Sequence, residues 1–228
     1  MQWIKNVFQL FYPPLCCGCD EHLDDRSEIL CASCLLSLNF FPKTEGETNE
    51  IKRRFYGKLA VNHCLSVLFF TEKSITQKML HQLKYQKQQG VSDFIGLLAW
   101  QHLSDHSVFD WAQCIVPVPL HPSKEKLRGY NQLDGFGKYL SQKSGIPYYK
   151  DFLIKAAKSD TQTRKNIIER SENSKNFVIN PSYSHIKQQR ILLIDDVITT
   201  GATLEAAGNC ILKNSNNEIS ILTMSCVK

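Results

Sequence analysis

The chain has 228 residues, 43% of them hydrophobic and 21% charged, which supplies a sizeable core and excludes global disorder. No stretch approaches the roughly 18 uninterrupted apolar residues of a membrane-spanning helix, and collagen-like and coiled-coil patterns are absent. The formal charge is +5, unevenly divided: residues 1–45 carry −3 and the remainder +8, so a basic body suited to an anionic ligand follows an acidic start.

Trp3, Val7, Leu10 and Phe11 fall at helical spacing and predict a short amphipathic helix ended by Pro13-Pro14. Its apolar face is expected to dock on the body, with a partner or a membrane surface as alternatives. Lys5 within the apolar stretch and Tyr12-Pro13-Pro14 after it do not make a secretory signal. The expected compartment is therefore the cytoplasm, with peripheral membrane attachment as the alternative.

Five of the nine cysteines follow closely. Cys16-Cys17-Gly18-Cys19 and Cys31-Ala32-Ser33-Cys34 each contain a C-x-x-C, separated by 11 residues. Two such knuckles make a tetrahedral thiolate set, so Cys16, Cys19, Cys31 and Cys34 are the candidate ligands of a structural zinc ion, with Cys17 able to exchange with Cys16. Disulfides would need an oxidising compartment, and a thioredoxin-like motif would need a single C-x-x-C beside a βαβ unit. Metal-free packing would leave the paired spacing without a reason. Cys64, Cys114, Cys210 and Cys226 are scattered among apolar residues and read as core.

The polar run from Lys43 to Arg54 reads as a linker, which sets the domain division at residues 1–45 and 46–228. Beyond it, 64–71 predicts a strand and Ile75, Met79, Leu80 and Leu83 a helix. Phe94 to Leu103 predicts a second helix capped by Asp93. A strand over 114–118 ends among prolines, and Leu133, Phe136, Gly137 and Leu140 mark the next helix. Arg190 to Ile194 is a buried strand, Leu204, Ala207, Gly208, Ile211 and Leu212 a helix face, and Ile219 to Met224 a closing strand. Strands alternating with helices imply an α/β fold with a mainly parallel sheet.

The most informative segment is Ile191-Leu192-Leu193-Ile194-Asp195-Asp196-Val197-Ile198-Thr199-Thr200-Gly201-Ala202-Thr203-Leu204. Two carboxylates stand at the carboxyl end of a strand, where open α/β sheets place their ligands. The loop that follows offers hydroxyls, backbone N–H groups and a helix N-terminus to one anion. Acids beside a phosphate cradle suit a sugar phosphate, whose hydroxyls donate to the carboxylates. A second loop, Ile115-Val116-Pro117-Val118-Pro119-Leu120-His121-Pro122, leads to Lys124, Lys126 and Arg128, cations suited to a pyrophosphate. His121, between a leucine and a proline, reads as structural.

The fourteen-residue string resembles the phosphoribosyl pyrophosphate (PRPP) motif of type I phosphoribosyltransferases. The resemblance implies that Asp195 and Asp196, the catalytic candidates, contact the ribose hydroxyls, and that Thr199, Thr200, Gly201, Ala202 and Thr203 bind the 5-phosphate, with Mg2+ accompanying PRPP. The paired knuckles, V-P-V-P-L-H-P leading to R-G-Y-N-Q, and the C-terminal motif together resemble the ComF/GntX family, which is phosphoribosyltransferase-like and associated with natural competence. Leu83-Lys84-Tyr85, Thr161-Gln162-Thr163, Glu169-Arg170 and Asn173 to Phe177 also resemble family positions; Lys158 stands where arginine or lysine is common. The implied fold is α/β, of type I phosphoribosyltransferase class, behind a zinc-ribbon-like module. The implied activity is transfer of ribose 5-phosphate from PRPP to a nitrogenous acceptor, linked to DNA uptake and to other competence proteins. The alternative is a non-catalytic PRPP sensor or a single-stranded-DNA binder, for which Arg53-Arg54-Phe55-Tyr56 and Lys84-Tyr85 supply cations beside aromatics.

Overall fold

A computed structural model describes residues 14–25, 28–44, 46–120, 124, 126, 128–155, 177–213 and 216–228. The amphipathic start, His121 and the segment containing Lys158, Thr161 and Arg170 lie outside the described residues.

The described elements run α1 (Ala32–Leu36), α2 (Glu50–Arg53), β1 (Cys64–Phe70), α3 (Ile75–Tyr85), α4 (Gly90–Leu103), α5 (Val108–Trp111) and β2 (Cys114–Pro117). They continue with α6 (Asp134–Ser144), β3 (Leu153–Lys155), β4 (Phe177–Ile179), β5 (Arg190–Ile198), α7 (Ala202–Lys213) and β6 (Glu218–Val227). Four strands form one parallel sheet in the order β1-β6-β5-β2, and β3 pairs with β4 as a separate antiparallel ribbon.

The central strands β5 and β6 are buried on both faces, with Leu192, Leu193, Ile194, Ile221, Leu222 and Met224 all inaccessible, which is why 191–194 reads as an unbroken apolar run. Register separates the two faces. Ile194 pairs with Leu222, and its side chain lies against Gly137 of α6; Ile219, an odd number of residues from Leu222, reaches Gly208 of α7. Helices α3, α4 and α6 thus share one face, packing on β1 and β2, and α7 covers the other.

Both outer strands have company. Phe40 bridges Leu68 in antiparallel sense, Phe41 N–H donates to Val67 O at 2.9 Å, and Phe69 N–H donates to Asn39 O at 2.9 Å. On the far side, Ile115 N–H donates to Pro147 O and Ile115 O accepts from Tyr149 N–H, each at 2.9 Å.

Three expectations change. The run over 43–54 is part of the body rather than a linker: Ile51 is fully buried, and the Asn49 side chain caps α2 while donating to Thr44 O and Cys64 O. Helix α4 starts at Gly90, so Asp93 sits in its first turn, where its charge favours the helix N-terminus, instead of capping it. Strand β5 runs on to Ile198 because β6 accompanies it as far as Cys226. Among the described residues, no helix is long and apolar enough to cross a membrane.

Candidate functional site

Strand β2 stops beside Ile194, with one further bond from Val118 N–H to Ile194 O at 2.9 Å, while β5 and β6 continue. Asp195 and Asp196 lie in this overhang, at the carboxyl end of the sheet. The two acids alternate faces. Asp195 pairs in register with Thr223, whose hydroxyl is buried without a hydrogen-bond partner. Burial, and then the neighbouring Asp196, push the Asp195 carboxyl up to about 8.

Asp196 faces the α3 side, and three donors engage its carboxylate. Lys84 Nζ, at the end of α3, lies 2.7 Å from its Oδ2; Gln132 Nε2 donates to the same oxygen, and Val197 N–H donates to Oδ1 at 2.6 Å. Gln132 is held in turn: Arg128 Nη1 donates to its Oε1, and Ser92 Oγ donates to its backbone O at 2.6 Å. The Arg128 guanidinium carbon lies 5.8 Å from the Tyr85 ring centroid, and Tyr130 OH donates to Leu83 O. The L-K-Y, R-G-Y-N-Q and Asp-Asp segments, far apart in the chain, therefore meet in one polar network.

Beyond the acids, Thr199, Thr200, Ala202 and Thr203 are exposed and Gly201 is buried with φ +83°. Ala202 and Thr203 open α7, whose first N–H groups have no partner within the helix. Segment 50–59 props this loop: Arg54 Nη1 donates to Thr199 O, its Nη2 donates to Val227 O at 2.5 Å, and the buried Phe55 ring lies under Gly201.

The four cysteines converge as the spacing suggests. The sulfurs of Cys16, Cys19, Cys31 and Cys34 all lie within 4.8 Å of one another, and Cys19 and Cys31 are 3.6 Å apart. A zinc ion bound at roughly 2.3 Å by four thiolates sets its sulfurs about 3.8 Å apart, so the cluster is compatible with structural zinc. Burial opposes ionisation of Cys16, but the backbone N–H groups of Cys31, Cys19 and Gly18 outweigh it and lower the thiol to about 6. Burial and then the neighbouring sulfurs push the Cys34 thiol up. A Cβ on Gly18 would come within 2.6 Å of Cys34 Sγ, so glycine is required inside the knuckle. Cys17 points elsewhere, its thiol donating to Gln82 Oε1 at 2.7 Å on α3.

No family model matches the chain. Competence protein F of Haemophilus influenzae is 26% identical over 212 residues, covering 91% of this chain and 88% of that protein. Competence protein ComFC of Bacillus subtilis is 26% identical over 149 residues, 63% of this chain and 56% of its own length. Competence protein ComFC of Streptococcus pneumoniae is 25% identical over 190 residues, 83% of this chain and 77% of its own. Over most of its length the chain is thus similar to the ComF and ComFC competence proteins.

The structure brings Asp195, Asp196 and the Thr199–Thr203 loop to one end of the sheet. Of the second loop, Lys124 and Lys126 are exposed, whereas Arg128 is engaged with Gln132 and Tyr85. Sequence reasoning missed three cations. Lys84 was legible as part of a motif, but not as the partner of Asp196. Lys155, on β3, feels Lys124 and Asp195, and burial and then Lys124 lower its amine below the usual range. Arg54, read with Phe55 as a nucleic-acid contact, instead holds the loop. Of the scattered cysteines, Cys64, Cys114 and Cys226 are core, and Cys210 is half-buried with its thiol donating to Phe177 O.

Proposed function

We propose that this chain is a ComF-family protein that binds PRPP on a type I phosphoribosyltransferase fold and transfers its ribose 5-phosphate to a nitrogenous acceptor, in the service of DNA uptake. The observation that carries this reading is the acidic pair beside a hydroxyl-rich loop and a helix N-terminus, at the strand ends where β2 falls short. In this reading Asp195 and Asp196 hold the ribose hydroxyls, the Thr199–Thr203 loop takes the 5-phosphate, and Lys124 and Lys126 face the pyrophosphate.

In the reaction an acceptor nitrogen donates its lone pair to C1 of the ribose. The bond from C1 to the pyrophosphate oxygen breaks with both electrons leaving on that oxygen, and the acceptor proton passes to solvent. Positive charge grows on the ring in the transition state, and an ionised carboxylate beside it is stabilising. Mg2+, when bound with PRPP, neutralises charge on the pyrophosphate. A zinc ion held by Cys16, Cys19, Cys31 and Cys34 would leave no open position for a water, which suits folding of module 1–45 rather than chemistry in body 46–228. The proposed setting is cytoplasmic, beside other competence proteins.

Calorimetric titration with PRPP and Mg2+ tests the reading. Saturable binding that is lost in Asp195→Asn/Asp196→Asn supports it; a folded wild type that binds no PRPP refutes it. A second reading, single-stranded DNA binding, is favoured by Tyr85, which is 68% exposed with the Arg128 guanidinium 5.8 Å and the His81 ring 4.8 Å from its ring centroid. It predicts affinity for an oligonucleotide that falls steeply with salt and drops in Tyr85→Ala.

A further inference from the structure

We infer that Lys84, the counter-cation of Asp196, exchanges that carboxylate for the pyrophosphate end of the ligand when PRPP binds. The inference rests on the proposed function and deepens it, because it assigns the anionic subsite to a residue outside the Lys124–Arg128 segment.

Three donors already engage Asp196: Val197 N–H on Oδ1, and both Lys84 Nζ and Gln132 Nε2 on Oδ2. Oδ2 carries two of these donors, so a ribose hydroxyl or a divalent cation approaching that oxygen competes with one of them. The Val197 N–H belongs to the backbone of β5 and stays. Gln132 is fixed at both ends, by Arg128 on its side chain and by Ser92 on its main chain, and Ser92 Oγ also accepts from Phe136 N–H at the start of α6.

Lys84 is the movable donor. It lies one residue from the end of α3, its side chain is 23% exposed, and its ammonium sits on a flexible four-carbon stem. Asp196 is only 14% exposed, so a lysine released from it would leave two poorly solvated charges unless both found new partners together. A ligand carrying hydroxyls or a cation at one end and a polyanion at the other supplies both. The hydroxyls or cation replace the ammonium on Asp196, and the pyrophosphate accepts the ammonium. Arg128, tied to Gln132 and stacked near Tyr85, keeps the frame in place while Lys84 moves.

The test compares two ligands and one bare metal ion on wild type, Lys84→Met and Lys84→Arg. PRPP with Mg2+ is expected to bind Lys84→Met about ten- to a hundredfold more weakly than wild type, the loss of a charge-assisted contact. Ribose 5-phosphate, which lacks the pyrophosphate, should change by less than about threefold, and Lys84→Arg should recover most of the PRPP affinity. Mn2+ alone, followed by the EPR signal of the free ion, should bind Lys84→Met more tightly than wild type, because Asp196 has lost its resident cation. Equal weakening of both sugar phosphates, or weaker Mn2+ binding, would mean that Lys84 only orders the acidic pair, and overturns the inference. Unchanged PRPP affinity in Lys84→Met overturns it while leaving the functional reading standing. A wild type that binds neither sugar phosphate overturns both.

Discussion

Replacing Gly201 by alanine isolates the loop's dependence on backbone geometry. The residue has φ +83°, a left-handed conformation that costs an L-residue with a side chain about 1–2 kcal/mol. The added Cβ would also lie 2.9 Å and 3.1 Å from two carbons of the Phe55 ring. That ring is 1% exposed, so it has no room to swing away, and overpacking of this kind costs about 1–3 kcal/mol. Gly201→Ala should therefore lose about 2–5 kcal/mol in urea denaturation at unchanged m-value. Phe55→Leu shortens the obstructing ring, so in the double mutant the steric part should be recovered and the dihedral part should remain. A double-mutant cycle is expected to show about 1–3 kcal/mol of favourable coupling. A loss below about 1 kcal/mol in Gly201→Ala, or zero coupling to Phe55, would show that segment 50–59 does not brace the loop as described.

Further outcomes follow from the cysteine cluster and the acidic pair. Metal analysis of the purified protein should give one zinc per chain, abolished in Cys34→Ser and retained in Cys17→Ser; loss in the latter would place Cys17 among the ligands. Gly18→Ala should release metal to a chelator faster than wild type, since its Cβ meets Cys34 Sγ at 2.6 Å; an equal release rate would mean the knuckle accommodates it. The raised Asp195 carboxyl gives stability a definite sign with pH. Its folded-state value of about 8 lies above the ordinary 3.8, so the folded protein holds a proton that the unfolded chain has lost. That contribution is full below about pH 4 and declines as pH rises toward 8, with a limiting slope of about 1.4 kcal/mol per pH unit. Asp195→Asn should flatten the decline in magnesium-free urea titrations, and an unchanged profile would assign the slope to other groups.

Much of the fold was legible because its carriers are local. An apolar run over 191–194 followed by two acids, hydroxyls and glycine can be read without tertiary information, and the paired C-x-x-C spacing fixes which sulfurs can meet. The parts that escaped depend on distant partners. Ile51 is one buried side chain on a four-residue helix in a polar stretch, too short to show a period. The β3 and β4 strands are three residues each, below the length at which alternation is distinguishable. Lys84 lies 112 residues from Asp196, and nothing within Leu83-Lys84-Tyr85 announces which carboxylate it meets. Strand β5 overran its predicted end because the length of β6 beside it, rather than its own apolar run, decides where pairing stops.

The margins of the sheet bear on how this protein behaves among its neighbours at high concentration. Along β2, the outward bonds belong to Ile115, and Pro117 and Pro119 share its parity, so the next two outward positions have no N–H to offer. At the opposite margin, residues 39–41 already occupy β1. A foreign strand, whether a second copy or a partly unfolded chain, thus meets a margin without donors on one side and a filled margin on the other. Among the described residues, strand addition to the four-stranded sheet is thus opposed by two prolines at one margin and a three-residue strap at the other.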